Sequence, residues 1–99
     1  MSCQHSLVYT RSFLKDVLKA ISYKLDQGHS DAPVFYQDMC AKIEHLRDHP
    51  EIGSKPAHFP VFCARGYRFL PYGSFNIFYA VRGKTVVCMR LRHTSRQPI

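Results

Sequence analysis

The sequence predicts an α+β fold in the order β-α-α-β-β-β-β, with an antiparallel helix pair packed on one face of a mainly antiparallel sheet. Three observations predict it. Apolar residues between positions 11 and 49 recur every three or four residues, the period of an amphipathic helix. Past Pro50 the period changes to two, which suits strands that bury one face. The 99 residues make one domain, 1–99, with one modest core, so every apolar stripe is expected to face the same interior.

Ser6-Leu7-Val8-Tyr9 reads as a short opening strand, and Thr10 offers a side-chain oxygen to cap the helix behind it. That helix is expected over 11–27, with Leu14, Val17, Leu18, Ile21 and Leu25 as one buried stripe. Gly28 ends it, since glycine adopts the left-handed conformation found past helix termini. Ser30 and Asp31 then cap a second helix over 31–49, with Pro33 tolerated in its first turn. Phe35, Met39, Ile43 and Leu46 share one side of it, and it stops before Pro50. So short a connection makes the two helices antiparallel neighbours.

Pro50, Gly53, Pro56 and Pro60 mark an irregular connection. Val61 to Ala64 is expected as a short strand, turned by Arg65-Gly66 into another from Tyr67 to Tyr72. Pro71 either makes that strand irregular near its end or sits at an unpaired position. After a turn at Gly73-Ser74, Phe75, Ile77, Tyr79 and Val81 alternate along the next strand. Arg82-Gly83 makes a tight hairpin, and Val86 to Arg92 returns.

At 45% hydrophobic and 21% charged, the composition is that of a globular protein. No apolar run is long enough to cross a bilayer, and Met1-Ser2-Cys3-Gln4-His5 lacks the apolar core of a signal peptide, so a cytoplasmic protein without membrane contact is expected. Cys3, Cys40, Cys63 and Cys88 form no C-x-x-C pair and are expected as reduced thiols, the last three packing as small apolar residues. His45-x-x-x-His49 places two imidazoles on one helix face, but no Glu or third ligand accompanies them. Neither a metal nor a cofactor is expected.

Fourteen Lys and Arg against seven Asp and Glu give a net charge of +7, with a pI near 9.5. Such an excess on a small domain implies a negatively charged partner: nucleic acid, an acidic protein or a membrane surface. Arg11, Lys15 and Lys19 recur every four residues on one helix face, an arrangement that by itself describes a solvated surface.

Four segments of the second half carry a resemblance. Leu46-x-x-x-Pro50-x-x-Gly53 is similar to the end of the second helix in ParE-type toxins, and Gly66-x-Arg68 to their glycine–arginine pair at the start of the central strands. Phe75-x-Ile77-x-Tyr79-x-Val81 resembles their Tyr-x-Ile-x-Tyr-x-Val strand. Leu91-Arg92-His93-Thr94-Ser95-Arg96 resembles their closing Val-x-His-x-x-Arg. Each piece is common in half-buried strands; four in order over residues 46–96 are specific. Two places depart from the pattern. Asp16 has Phe13 where the family has an alanine and Ala20 where it has an isoleucine, and Gln97 replaces an aspartate after the last arginine.

The resemblance implies a RelE-like fold and the toxin component of a type II toxin–antitoxin system, acting in growth arrest and plasmid stabilisation. ParE-type toxins poison DNA gyrase and need no active site, whereas RelE-type toxins cleave messenger RNA on the ribosome. Both are silenced by a cognate acidic antitoxin that wraps them with an otherwise flexible segment in a toxin–antitoxin hetero-oligomer. Cleavage would need a general acid, a general base and a cation near the phosphate. The resemblance puts His93, Arg68, Arg96 and Arg90 forward for that chemistry. The bland reading is that His93 and Arg96 merely finish the last strand. For partner contact the candidates are Arg11, Lys15, Lys19, Arg65, Arg68, Arg92 and Arg96. The closing His-x-x-Arg resembles ParE members more than the nucleases, which favours gyrase over the ribosome. A third reading is a small basic nucleic-acid-binding module with Tyr67, Phe69, Tyr72 and Phe78 as stacking residues, although core packing explains these aromatics more simply.

Overall fold

A computed structural model describes residues 5–26, 28, 32–56 and 59–93. The chain runs β1 (Ser6–Tyr9), α1 (Arg11–Asp26), α2 (Ala32–Glu44), α3 (Pro60–Ala64), β2 (Arg68–Tyr72), β3 (Phe75–Arg82) and β4 (Thr85–His93). Two 3₁₀ turns, His45–Arg47 and Pro50–Ile52, lie between α2 and α3. One sheet in the order β1-β4-β3-β2 carries the helix pair. β1 runs parallel to β4, and the other neighbours are antiparallel. No helix among the described residues is long and apolar enough to cross a membrane.

Thr10 caps α1 as its chemistry predicts: its Oγ1 accepts from the Phe13 amide at 3.0 Å. Gly28, at φ +78, ends the helix, with its amide donating to the Leu25 carbonyl. Pro33 lies in the first turn of α2, while Ser30 and Asp31 fall outside the described residues. Phe35, Met39, Ile43 and Leu46 are all buried. Pro71 sits in β2, the edge strand, where a residue without an N–H is tolerated.

Four expectations are corrected. Residues 61–64 form the helix α3, not a strand, so the order is β-α-α-α-β-β-β. Pro60 favours a first helical turn, and the three-residue spacing of Phe59 and Phe62 then lets both rings meet Phe78, with centroids 4.9 and 4.7 Å away. On α1 the buried face is Phe13, Val17 and Ala20, whereas Leu14, Leu18 and Leu25 are exposed. The helical period is right and its phase is rotated, because the larger Phe13 ring stacks on Tyr9 at 5.5 Å. The last hairpin turns at Gly83-Lys84, one residue later than expected, with Arg82 paired to Thr85. Cys63 is exposed on α3, while Cys88 is buried and Cys40 partly so.

The apolar residues also form two clusters. The helix pair covers Phe75, Ile77, Tyr79, Val86, Cys88 and Leu91 on one side of the sheet. Phe62 and Tyr67 pack against Phe78 and Ala80 on the other. Alternation along β3 makes this division, sending odd-numbered residues to one face and even-numbered ones to the other.

Candidate functional site

β1 stops at Tyr9, opposite Cys88, so β4 runs five residues beyond its parallel neighbour. The chain continues from β1 into α1, whose side chains take over that uncovered edge. The Thr10 amide donates to the Cys88 carbonyl at 3.1 Å, and the Thr10 hydroxyl donates to the Met89 carbonyl at 3.0 Å. Nearly two turns on, Asp16 Oδ2 accepts from the Leu91 amide at 3.0 Å and from Arg90 Nε at 2.8 Å. Arg90 Nη2 also reaches Asp16 Oδ1 at 3.3 Å. Asp16 thus serves as both a strand-edge cap and a charge partner.

A bulge sets which β4 side chains face which way. Phe78 pairs with Arg90 and Tyr79 with Cys88, which leaves Met89 as an extra residue on β4. Val86, Cys88 and Leu91 therefore all reach the helix-side core, while Met89 packs with the opposite cluster.

Beyond Asp16, α1 and the end of β4 bound a cleft of about 310 Å³. Lys19, Arg90, Arg92 and His93 line it, with Asp16 as the carboxylate and Ala20, Tyr23, Phe75 and Leu91 as the apolar walls. Arg92 Nε is buried and has no hydrogen-bond partner among the described residues. Burial lowers the Arg92 pKa, and the neighbouring Arg90 charge adds to that, with Asp16 opposing. The His93 ring stands edge-on to Phe75 at 5.1 Å.

The structure brings together some of the residues put forward from the sequence and separates others. Arg90, Arg92, His93 and Lys19 share the cleft. Arg11 and Lys15 are exposed elsewhere on α1. Arg65 is exposed beside a second hollow of about 240 Å³, shared with Thr10, Ser12 and Tyr67. Arg68 is engaged elsewhere: its Nη1 donates to the Gly53 carbonyl at 2.8 Å and reaches the Glu51 carbonyl at 3.5 Å. Arg68 pairs with Tyr79 and His93 with Phe75, four residues apart along β3. That offset is roughly 14 Å, and two strand spacings add roughly 10 Å at right angles to it. Arg96 lies outside the described residues.

The aromatics considered for base stacking are used in packing. Tyr67 and Phe78 are buried, Phe69 packs against their cluster, and the Tyr72 hydroxyl donates to the Phe35 carbonyl at 2.9 Å. Among the described residues no group of three or more His, Cys, Asp or Glu side chains could hold a metal ion. Asp16 is the residue of the cleft that periodicity did not single out. Its signal is a lone carboxylate in a helix whose other charges through Lys24 are all basic.

The family model described as "ParE toxin of type II toxin-antitoxin system, parDE" matches residues 7–98. No curated protein matches the chain. Among solved structures, the chain is similar to one in the chromosomal ParDE TA system from P. aeruginosa, with TM-score 0.76 and 21% identity over 95% of this chain and 100% of that one. It is also similar to a chain of the toxin-antitoxin complex RelBE2 from Mycobacterium tuberculosis, with TM-score 0.57 and 18% identity over 91% and 98%. At these identities the likeness shows the fold.

Proposed function

The chain belongs to the ParE toxin family of type II toxin–antitoxin systems, and from that premise we propose that it arrests growth by poisoning DNA gyrase while a cognate acidic antitoxin holds it silent. The observation that carries the choice of gyrase is the separation of Arg68 from His93. Nuclease chemistry needs its acid, base and phosphate-binding cation within hydrogen-bond reach of one scissile bond, and Arg68 is spent on the Pro50–Ile52 turn and Gly53. A poison that binds gyrase needs no such assembly.

An antitoxin partner is supported by the ParDE and RelBE2 systems to which the chain is similar and by the net charge of +7. This reading assigns the exposed Arg11, Lys15 and Lys19 row to acidic residues of that partner. The exposed Leu14, Leu18 and Leu25 beside the row suit the apolar side of the same amphipathic segment.

A second reading, ribosome-dependent message cleavage, is favoured by one observation, the grouping of His93 with Arg90, Arg92 and Lys19 in one cleft. Induced expression in a susceptible bacterium separates the two. Gyrase poisoning predicts growth arrest with broken chromosomal DNA, relieved by co-expression of the cognate antitoxin. Arrest with intact DNA and cleaved messages would establish the second reading instead. Normal growth with soluble, folded protein would contradict both.

A further inference from the structure

We propose that the cleft between α1 and the end of β4 is a carboxylate-binding site that takes one acidic side chain of the antitoxin, flanked by aliphatic residues. The proposal rests on the reading of this chain as an antitoxin-controlled toxin, and it names the chemistry of one contact.

Charge is the first argument. Lys19, Arg90 and Arg92 face the cleft together with Asp16. Both oxygens of that carboxylate are already committed, to Arg90 and to the Leu91 amide. Among the described residues the cleft therefore keeps an excess of positive charge that no further carboxylate neutralises. An entering carboxylate would meet two guanidinium groups and an ammonium in a partly desolvated space, where charge-assisted hydrogen bonds are strongest.

Arg92 supplies the second argument. A buried donor left without an acceptor is costly, and native structures rarely keep one. Among the described residues Arg92 Nε is such a donor, and the depressed basicity of this side chain reflects burial beside a like charge. A carboxylate has two acceptor oxygens spaced to match the edge of a guanidinium, so once the Arg92 side chain swings towards the cleft it satisfies Nε together with one terminal nitrogen.

The walls decide what surrounds the carboxylate. Ala20 and Leu91 are almost fully buried, while Tyr23 presents 47% of its surface beside them. An aliphatic neighbour of the acidic residue can pack there. A nucleic-acid strand suits the cleft less well. It brings a charge with every nucleotide, and the described residues of the cleft offer apolar walls beside one cluster of cations instead of a basic track along a strand. The volume of about 310 Å³ admits one side chain with its flanking backbone and no folded domain.

The test uses the 99-residue chain and a blocked peptide, acetyl-Leu-Glu-Leu-Glu-Leu-amide, followed by nuclear magnetic resonance at the arginine Nε–H signals. The same peptide with Gln for Glu is the control, and a single-stranded oligonucleotide of matched charge is the competing ligand. The Glu peptide should shift the Arg92 Nε–H and Leu91 amide signals. The Gln peptide should bind roughly tenfold or more weakly, the loss of a charge-assisted contact. Lys19→Gln, at an exposed position that does not threaten the fold, should weaken the Glu peptide, and so should Arg92→Lys, which keeps the charge but removes Nε. An unmoved Arg92 signal, equal binding of the two peptides, or tighter binding of the oligonucleotide at these signals would overturn the site. Binding of an acidic antitoxin identified as its partner is measured separately on the same samples. A chain that binds that protein without moving Arg92 overturns the site and leaves the functional reading intact. A chain that takes the Glu peptide at Arg92 but ignores that protein overturns the antitoxin assignment and leaves the site.

Discussion

The hydroxyl of Tyr79 occupies the space that a side chain on Gly53 would need. It donates to the Pro50 carbonyl at 2.6 Å and accepts from the Gly53 amide at 2.9 Å. Tyr79 is fully buried, and burial raises its phenol pKa while the Gly53 hydrogen bond and Arg68 pull the other way. Two segments that look unrelated in sequence, Pro50-x-x-Gly53 and the alternating strand, are thus one contact.

Tyr79→Phe should cost about 1–3 kcal/mol, because it strands the Gly53 amide and the Pro50 carbonyl. Gly53→Ala should cost more, and combining it with Tyr79→Phe should not rescue it. The added Cβ would still lie 2.7 Å from the Tyr79 Cε1 position and 2.9 Å from the Phe69 carbonyl. Urea denaturation of the three variants checks this; recovery in the double variant would contradict it.

Asp16 ties α1 to the far end of β4. Asp16→Ala should cost about 2–4 kcal/mol, since it leaves a partly buried guanidinium and the Leu91 amide without an acceptor. Asp16→Asn keeps one acceptor and should cost less than half as much. Amide exchange at Leu91 should accelerate in the alanine variant before the rest of the sheet is affected.

The rotated phase of α1 makes a simple contrast. Phe13 is 2% exposed and Leu18 is 64% exposed. Phe13→Ala should cost about 3–5 kcal/mol, and Leu18→Gln should stay within about 0.5 kcal/mol of the parent. Thermal melts that reversed this order would restore the leucine stripe as the buried face.

Alkaline pH should destabilise the fold through Cys88. Burial pushes this thiol from 9.0 up to about 12, so the folded state holds its proton where the unfolded state has released it. Stability is full below about pH 9 and declines as the pH rises towards 12, on the order of 1 kcal/mol per pH unit. Tyr9, also raised chiefly by burial, adds in the same direction above 10.0. Denaturation between pH 8 and 11 should show the decline, and Cys88→Ala should flatten it. At pH 8 an alkylating reagent should label the exposed Cys63 and spare Cys88.

Much of the fold was legible because local chemistry and tertiary demand agree. Thr10, Gly28 and the Phe35–Leu46 stripe do in the structure what their residue types predict. Legibility failed where a choice between packings decided the outcome. The apolar arc of α1 is wider than the face it buries, so periodicity could not select Phe13 over Leu14. A four-residue apolar run at 61–64 suits a strand or a helix equally, and the exposed second face of the sheet selected the helix. The cleft depends on a bulge at Met89 and on a contact between Asp16 and Arg90, 74 residues apart, and neither leaves a local pattern.

The most direct measurement is a supercoiling assay with purified gyrase, run beside a ribosome-bound message. Gyrase poisoning predicts that the chain inhibits supercoiling or traps cleaved DNA, that the message stays intact, and that folded His93→Gln retains the effect on gyrase. Message cleavage by the parent, lost by about 10²–10⁴-fold in His93→Gln with gyrase untouched, would contradict it.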